Sequence, residues 1–132
     1  MKQNFQVIQK AEIKKGKKFL VMKRAPTARA YPNRWDFPGG KMEHGENPYK
    51  AIEREIKEET NFKAKALRPE FVFSEKFSDH YNVFIFYKCK QISGKIKISE
   101  EHTEHKWASK KEIMKMKLET SLREYLKIRR GN

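Results

Sequence analysis

The sequence predicts an α+β fold in which a mixed β-sheet is flanked by helices, as a layered αβα sandwich. Three observations lead to this class: strand-like segments occur in both halves of the chain, one strongly periodic helix separates them, and helix-like segments close the sequence. Chains of about 100–200 residues usually form one domain. With 132 residues, this chain is expected to be a single domain over residues 1–132.

The first third of the chain predicts a β-hairpin and a loop. Residues 5–13 and 18–23 have strand-like apolar content, and residues 15–17 (KGK) between them are a turn signal. Residues 25–34 carry two prolines and no hydrophobic period, so a loop is expected there. The strand-like WDF that follows ends at a Pro-Gly-Gly breaker.

Residues 47–60 form the clearest helix of the sequence. Asn47 is a favoured N-cap residue and Pro48 suits the first helical position. Asn61 tolerates the left-handed conformation that ends many helices. An apolar stripe at three- to four-residue spacing marks the face that packs on the sheet, and it consists of Tyr49, Ile52 and Ile56.

The second half predicts further strands. Residues 69–76 and 81–90 are strand-like and are separated by residues 78–80 (SDH). Both alternating faces of 81–90 are largely apolar, which is typical of a strand that is covered on both sides. Residues 93–94 (SG) mark a turn, and residues 95–99 (KIKIS) alternate as a short strand does.

Two helices are expected at the end of the chain, over residues 109–117 and 120–129. Their packing residues are Ile113, Met114, Leu122, Tyr125 and Leu126. The order of strands, helix, strands and helices favours a mixed sheet between helical layers.

Composition bounds the classes of function. Lys and Arg total 31 against 17 Asp and Glu, which gives a net charge of +14. A field of this sign attracts polyanions such as nucleotides, nucleic acid or anionic lipid. No apolar run approaches the ~20 residues of a membrane helix, so no membrane span is expected. The single cysteine, Cys89, is expected to be a packing residue, excludes an internal disulfide and makes a reducing cytoplasm the default location.

Three carboxylates share one strip of the predicted helix. At 100° per residue, Glu59 and Glu58 lie about 40° and about 60° to either side of Glu55. Acids at these spacings repel each other, and partial burial strengthens the repulsion. A hard cation such as Mg²⁺ or Mn²⁺ would relieve it. On the helix alone, an ordinary solvated face with ion pairs to lysine is the alternative.

The residues before the helix favour a metal-phosphate site. Gly39-Gly40 follows the strand-like WDF, and glycine pairs let the backbone approach a ligand closely. Glu46 lies between that loop and the helix. Arg54 sits beside Glu58 on the helix, where its guanidinium can hold a carboxylate by a forked hydrogen bond.

At this point the chain resembles a known family. Gly40–Phe62 reads GKMEHGENPYKAIEREIKEETNF, which is similar to the Nudix box. The box has a Gly, five residues, a Glu, seven residues, and then Arg-Glu-aliphatic-x-Glu-Glu-x-Gly-aliphatic. Asn61 stands where the box has its last glycine, and Phe62 replaces an aliphatic residue. The preceding FPGGK resembles the MutT-like subgroup. The matched acids and arginine are Glu46, Arg54, Glu55, Glu58 and Glu59.

The resemblance implies a fold and a reaction. Nudix proteins are αβα sandwiches that hydrolyse a nucleoside diphosphate linked to another moiety, with Mg²⁺ or Mn²⁺ as cofactor. Glu58 and Glu59 would then be metal ligands, and Glu55 a ligand or the general base. Arg54 and Glu46 would hold these carboxylates in place. The implied metal set is completed by the Gly39 carbonyl and by an acid of the EEHTEHKW segment, for which Glu101 fits best and Glu104 second.

Several residues are candidates for contact with the substrate. Arg24, after the second strand, and Lys41, after the glycines, are placed to meet phosphates, and Gly40 offers close backbone approach. Phe37 is a candidate to stack on a base, although its strand-like setting also suits the core. Further stacking candidates are Trp35, Tyr31 and Phe73. An HxxH metal pair of His102 and His105 is disfavoured because no third soft ligand is near.

The resemblance leaves the substrate open. Nucleoside triphosphates, including oxidised ones, are the leading class, and ADP-ribose or another sugar nucleotide is the alternative. The Asn with which MutT-type enzymes read a purine is missing from residues 118–124 (LETSLRE), where Glu119 is a possible substitute. The net charge also permits an RNA-binding or decapping role. A sensing domain is disfavoured because every acid of the box is present. The general base, the number of metals and the oligomeric state stay open.

Overall fold

The computed structural model describes residues 4–129. Arg130, a basic residue near the end of the chain, lies outside them. Seven strands and three helices follow one another in the expected order. They are β1 (Phe5–Lys15), β2 (Lys18–Arg24), β3 (Trp35–Asp36), β4 (Gly39–Lys41), α1 (Pro48–Thr60), β5 (Lys63–Lys76), β6 (Tyr81–Ser93), β7 (His102–Ala108), α2 (Lys110–Ile113) and α3 (Thr120–Ile128).

The strands form one mixed sheet around β1. On one edge β1 runs parallel to β6, from Phe5 opposite Tyr81 to Ile13 opposite Cys89. On its other edge β1 pairs antiparallel with β4 along residues 8–10 and with β2 only at residues 14–15. Strand β5 pairs with β6, while β3 and β7 pair with β2. The predicted hairpin is confirmed, and Gly16 supplies its positive φ of 63°.

The core lies in two clusters, one on each face of the sheet. Helix α1 covers one cluster with Ile52 and Ile56, and α3 covers the other with Leu122 and Leu126. Strand β6 contributes to both, because Tyr87 and Cys89 face α1 while Phe84 and Phe86 face α3. The predicted αβα layering and the two covered faces of this strand are therefore confirmed.

The caps of α1 explain where this helix begins and ends. The Asn47 side chain accepts hydrogen bonds from the backbone N–H groups of Tyr49 and Lys50, and Pro48 occupies the first turn. Asn61 ends the helix with a φ of 67°. These local signals fix the register of α1, and hence which face its glutamates occupy.

The strand predicted at residues 95–99 is wrong. The Lys97 N–H donates to the Thr60 carbonyl, and the Asn61 side chain donates to the Lys95 carbonyl. The segment thus finds its partners at the end of α1 instead of in the sheet, and its alternation reflects Ile96 and Ile98 packing against the α1-side cluster.

Other parts of the prediction also differ from the structure. Strand β5 begins at Lys63 rather than 69, because register shifts around Pro69 let pairing continue past the proline. The glycine pair lies inside β4 rather than in a simple breaker. Helix α2 is a single turn with a Ser109–Glu112 capping box, since the chain turns before Leu118 to bridge Trp35.

No helix among residues 4–129 is long and apolar enough to cross a membrane.

Glu119 is the N-cap of α3. Its carboxylate is 1% exposed and accepts hydrogen bonds from the Leu122 N–H and the Ser121 hydroxyl. Its second oxygen has no hydrogen-bond partner among the described residues. Burial raises the pKa of this carboxyl, and the neighbouring Asp36 raises it further. The ionised form is therefore disfavoured in the folded state.

We expect Glu119→Gln to reduce the loss of stability at high pH. A raised carboxyl pKa contributes stability below the unfolded value of about 4.3, and this contribution is lost as pH rises through the folded value. Glutamine keeps the capping oxygen and cannot ionise. Urea unfolding at pH 5 and pH 8 should show a smaller pH-dependent loss for the variant than for the wild type. Glu124→Gln, on the same helix but partly exposed, is the matched control. An equal loss in all three proteins would contradict the expectation.

Candidate functional site

Strand β4 and helix α1 meet through the two glycines. The Gly39 N–H donates to Glu59 Oε1 at 2.9 Å. A Cβ at Gly39 would lie 1.9 Å from the Gln9 carbonyl oxygen, and one at Gly40 would lie 2.6 Å from the Glu55 carboxylate. Both positions therefore require glycine for close approach. The strand holds two carboxylates of α1 directly against its backbone.

Arg54 joins the other acids of the predicted constellation. Its guanidinium donates two hydrogen bonds of 2.8 Å to the Glu46 carboxylate, in a forked pair. It also lies 3.1 Å from Glu55 Oε1 and 3.2 Å from the Glu58 carboxylate oxygens. The hydrogen bond from Arg54 lowers the pKa of Glu46. As the sequence predicts, Arg54 holds a carboxylate by a forked pair of hydrogen bonds, and that carboxylate belongs to Glu46.

Glu55 and Glu59 form a partly buried acid pair. Burial raises the pKa of Glu55, and Glu58 and Glu101 oppose its ionisation further. Burial raises the pKa of Glu59 well above its usual range, since its residue is only 5% exposed. The Gly39 N–H and Lys10 act in the opposite direction on Glu59. The ionised forms of both carboxyls are thus disfavoured by their surroundings.

A cavity of about 1320 Å³ opens over this acid pair. The loop after β2 and the segment before β7 also line it. It brings together seven of the residues singled out from the sequence: Arg24, Gly39, Gly40, Lys41, Glu55, Glu59 and Glu101. We call Glu55, Glu59 and Glu101 the acid cluster. Both Glu55 and Glu59 feel the charge of Glu101, which favours Glu101 over Glu104 as the third acid. Glu104 instead pairs with Lys23 at 3.6 Å on the surface.

Arg24 is held in place beside the cavity. Its Nε donates to the Ala30 carbonyl at 2.8 Å, and its Nη1 lies 3.5 Å from Asp36 Oδ2. Arg29 and Lys41 also line the cavity. The cavity therefore combines a carboxylate wall with cationic groups, which is the charge distribution that a metal-bound polyphosphate needs.

Some of the predicted residues do not meet the cavity. The structure does not support substrate contact by Phe37, because its ring is 1% exposed and packs between Phe19 and Phe86. The Glu58 side chain is 57% exposed and faces Arg54. The stacking candidates Trp35 and Phe73 pack against the α3-side cluster, and the Tyr31 hydroxyl donates to Glu75.

Three further residues that the sequence singled out do not have the surroundings of a reactive group. Cys89 is buried, and burial raises the pKa of its thiol to about 12, which agrees with the predicted packing role. Glu119 caps α3 and is absent from the residues that line the cavity. His102 lines the cavity, where burial lowers its pKa to about 4, so the imidazole is neutral at pH 7.

The acid cluster fits a hard divalent cation by its chemistry. All of its donors are carboxylate oxygens, and Mg²⁺ is usually bound by one or two carboxylates together with substrate phosphates and water. Among residues 4–129, no three His, Cys, Asp or Glu side chains already converge as a group that could hold a metal ion. A cation at the acid cluster would therefore need further ligands, such as substrate phosphates and water.

Comparison with known proteins identifies the family. The model of the NUDIX domain matches residues 11–127. The chain belongs to the Nudix family. The resemblance drawn from the box is thereby confirmed, and with it the assignment as a hydrolase that acts on nucleotide pyrophosphates.

One curated relative and two solved structures are examples of proteins similar to this chain. The nucleoside triphosphatase NudI of Escherichia coli O139:H28 is 22% identical over 122 residues, which cover 84% of this chain and 86% of that protein. The MutT protein from Methanosarcina mazei Go1 has the same fold, with 23% identity, a TM-score of 0.86 and coverage of 96% and 94%. An ADP-ribose pyrophosphatase from Streptococcus suis 89-1591 matches with 17% identity, a TM-score of 0.66 and coverage of 80% and 75%.

Sequence reasoning missed several residues around the site. Lys10 and Asp36 form a buried ion pair beneath it, with side chains 5% and 1% exposed. Arg29 and Phe5 line the cavity. Lys10 lies in a strand that also contains Gln6, Gln9 and Glu12, so its sequence setting does not mark it as buried. In a chain with 31 basic residues, nothing marks Arg29 as different from the others.

Gly40→Ala is expected to lower turnover about 100-fold, because the new methyl group would displace the Glu55 carboxylate that it meets at 2.6 Å. Thermal stability should change little, since a side chain can move. Gly39→Ala is the contrasting variant, because its methyl meets the Gln9 backbone at 1.9 Å and should lower the melting temperature. Full activity in Gly40→Ala would show that the position of Glu55 is unimportant.

Proposed function

We propose that the chain hydrolyses nucleoside triphosphates to the nucleoside monophosphate and pyrophosphate, with Mg²⁺ or Mn²⁺ as cofactor. The observation that carries this proposal is the cavity itself, which is lined both by the acid cluster and by Arg24, Arg29 and Lys41. Carboxylates alone would repel a polyphosphate, and cations alone would not bind a metal. Their combination suits a metal-nucleotide complex. The name of NudI as a nucleoside triphosphatase supports this substrate class.

The proposed metal ligands are Glu59, Glu55 and Glu101, with Glu58 and the Gly39 carbonyl as the further ligands that the family resemblance implies. A bound divalent cation supplies neutralisation of phosphate charge and a more acidic attacking water. We propose magnesium from the chemistry of the ligands, and a cytoplasmic location from the single cysteine of the sequence.

The chain's own residues have separable roles in this proposal. Arg54 is a positioning residue, because its fork to Glu46 fixes the guanidinium that contacts Glu55 and Glu58. Arg24 is held by Ala30 and Asp36, so it is preorganised to donate to a phosphate oxygen. Lys41 adds a further cation, and the missing Cβ of Gly40 leaves room for the Glu55 carboxylate. A neutral Glu55 or Glu59 would have to release its proton before it binds metal.

The experiment is a hydrolysis screen of the full chain with Mg²⁺, with Mn²⁺ and with EDTA. It compares canonical and oxidised nucleoside triphosphates, ADP-ribose, dinucleoside polyphosphates and capped RNA. We expect metal-dependent release of monophosphate and pyrophosphate from the triphosphates. Preferred cleavage of ADP-ribose or of capped RNA would overturn the proposed substrate class. Binding of a 20-nucleotide RNA at low salt, with a steep salt dependence, would favour the RNA alternative.

A further inference from the structure

The cavity has an aromatic residue at the far end from the acid cluster. Phe5 is the first residue of β1, it lines the cavity, and its side chain is exposed, with 59% of the residue accessible. The other large exposed apolar residues among those described are Tyr49, Leu67, Val72, Ile92 and Ile128, and all of them are absent from the cavity lining. Phe5 therefore combines exposure of a large ring with a place in the substrate cavity.

The direction of β1 places Phe5 on the same side of the sheet as the acid cluster. The Gln9 side chain donates to the Pro48 carbonyl of α1, so Gln9 faces α1. Side chains two and four residues earlier share that face, which puts Val7 and Phe5 there. Gln9 pairs with Gly40 across β1 and β4. Phe5 thus lies four residues along the strand from the glycines, or about 13 Å at 3.3 Å per residue.

The ring of Phe5 is held by a neighbour. Phe5 and Tyr81 face each other across the parallel pair of β1 and β6. Their ring centroids are 5.4 Å apart with an interplanar angle of 75°, an edge-to-face arrangement that stabilises aromatic pairs. The backbone N–H of Tyr81 also donates to the Asn4 carbonyl. The aromatic surface of Phe5 is therefore supported by the sheet although it is largely open to the cavity.

We propose that Phe5 is the nucleobase subsite of this cavity, on which the base stacks while the pyrophosphate lies at the acid cluster. This inference rests on the proposed function. The separation along β1 suits a nucleotide that extends from its base to its outer phosphates. Stacking on an aromatic ring tolerates every base, because each base has a π face. The subsite consequently favours nucleotides over base-free polyphosphates without selecting one base.

The test compares substrates with and without a base. Phe5→Ala should raise the KM for a nucleoside triphosphate about tenfold, within the range that base stacking supplies, with kcat changed less than about twofold. The inhibition constant of inorganic tripolyphosphate, which has no base, should stay the same. Phe5→Leu keeps an apolar side chain but no ring, so its KM should rise as in Phe5→Ala. Phe5→Trp keeps an aromatic ring, so its KM should stay near the wild-type value. Val72→Ala, at an exposed site outside the cavity, should have no effect.

A binding measurement separates the outcomes. The fluorescence of Phe5→Trp, measured against the wild type, should be quenched by the nucleotide and not by tripolyphosphate. An unchanged KM in both Phe5→Ala and Phe5→Leu would overturn the subsite, and so would an equal loss of tripolyphosphate binding. If the wild type hydrolysed no nucleotide in the screen, the proposed function would fail instead, whatever the behaviour of the Phe5 variants.

Discussion

Replacing Glu59 by glutamine is expected to reduce metal-dependent turnover by about 10²–10³-fold without unfolding the protein. The carboxylate is buried and lies in the cavity beside Glu55. Glutamine retains an oxygen that can accept the hydrogen bond from the Gly39 N–H. The fold should therefore tolerate the change, whereas the negative charge proposed to bind the cation is removed. The measurement is kcat with saturating Mg²⁺, together with thermal melting in EDTA.

Glu53→Gln provides the matched control on the same helix. Glu53 accepts a hydrogen bond from the Ala66 N–H at 2.9 Å and is absent from the cavity lining. This hydrogen bond links α1 to β5. The turnover of Glu53→Gln should equal that of the wild type. Wild-type turnover in Glu59→Gln, or an equal loss in both variants, would contradict the assignment of Glu59.

Lys10→Met is expected to lower the free energy of unfolding by about 3 kcal/mol. Lys10 forms an ion pair with Asp36 in which both side chains are almost fully buried. Removing the ammonium leaves a buried carboxylate whose remaining cationic partner, Arg24, lies 3.5 Å away. That remaining contact should keep the loss near the lower end of the range for a broken buried pair. Urea unfolding measures the difference.

The double variant Lys10→Met/Asp36→Asn tests the reason for that loss. If the cost comes from an unpaired buried charge, removing the second charge should recover much of it. The Phe37 N–H donates to Asp36 Oδ1, and asparagine preserves an acceptor there. A double variant no more stable than Lys10→Met would indicate that the lysine stabilises the fold by packing. The nearby Phe84 ring, 5.9 Å from Lys10 Nζ, is where such packing would occur.

Much of the site could be predicted because its signals are local. Asn47, Pro48 and Asn61 fix the ends of α1, and the helical period then fixes the face on which Glu55 and Glu59 lie. The glycines before the helix add to this, because the missing Cβ of Gly40 lets it approach the Glu55 carboxylate closely. Residues within one loop and helix carry their geometry in their spacing.

The parts that escaped prediction depend on contacts between distant strands. Phe5 enters the cavity only because β1 pairs with both β4 and β6. Lys10 finds Asp36 across the sheet, and neither residue type signals burial by itself. The segment at 95–99 alternates like a strand, yet its partners lie at the end of α1. A period of two describes extended backbone, and it does not say what that backbone pairs with.

Mn²⁺ binding measured by electron paramagnetic resonance tests the central claim most directly, which is that the acid cluster holds the catalytic cation. The proteins are the wild type and the single variants Glu55→Gln, Glu59→Gln and Glu101→Gln, with Glu104→Gln as the surface control. We predict at least about tenfold weaker binding in each of the three cluster variants and unchanged binding in the control. Wild-type affinity in all of the cluster variants would contradict the claim and place the cation elsewhere.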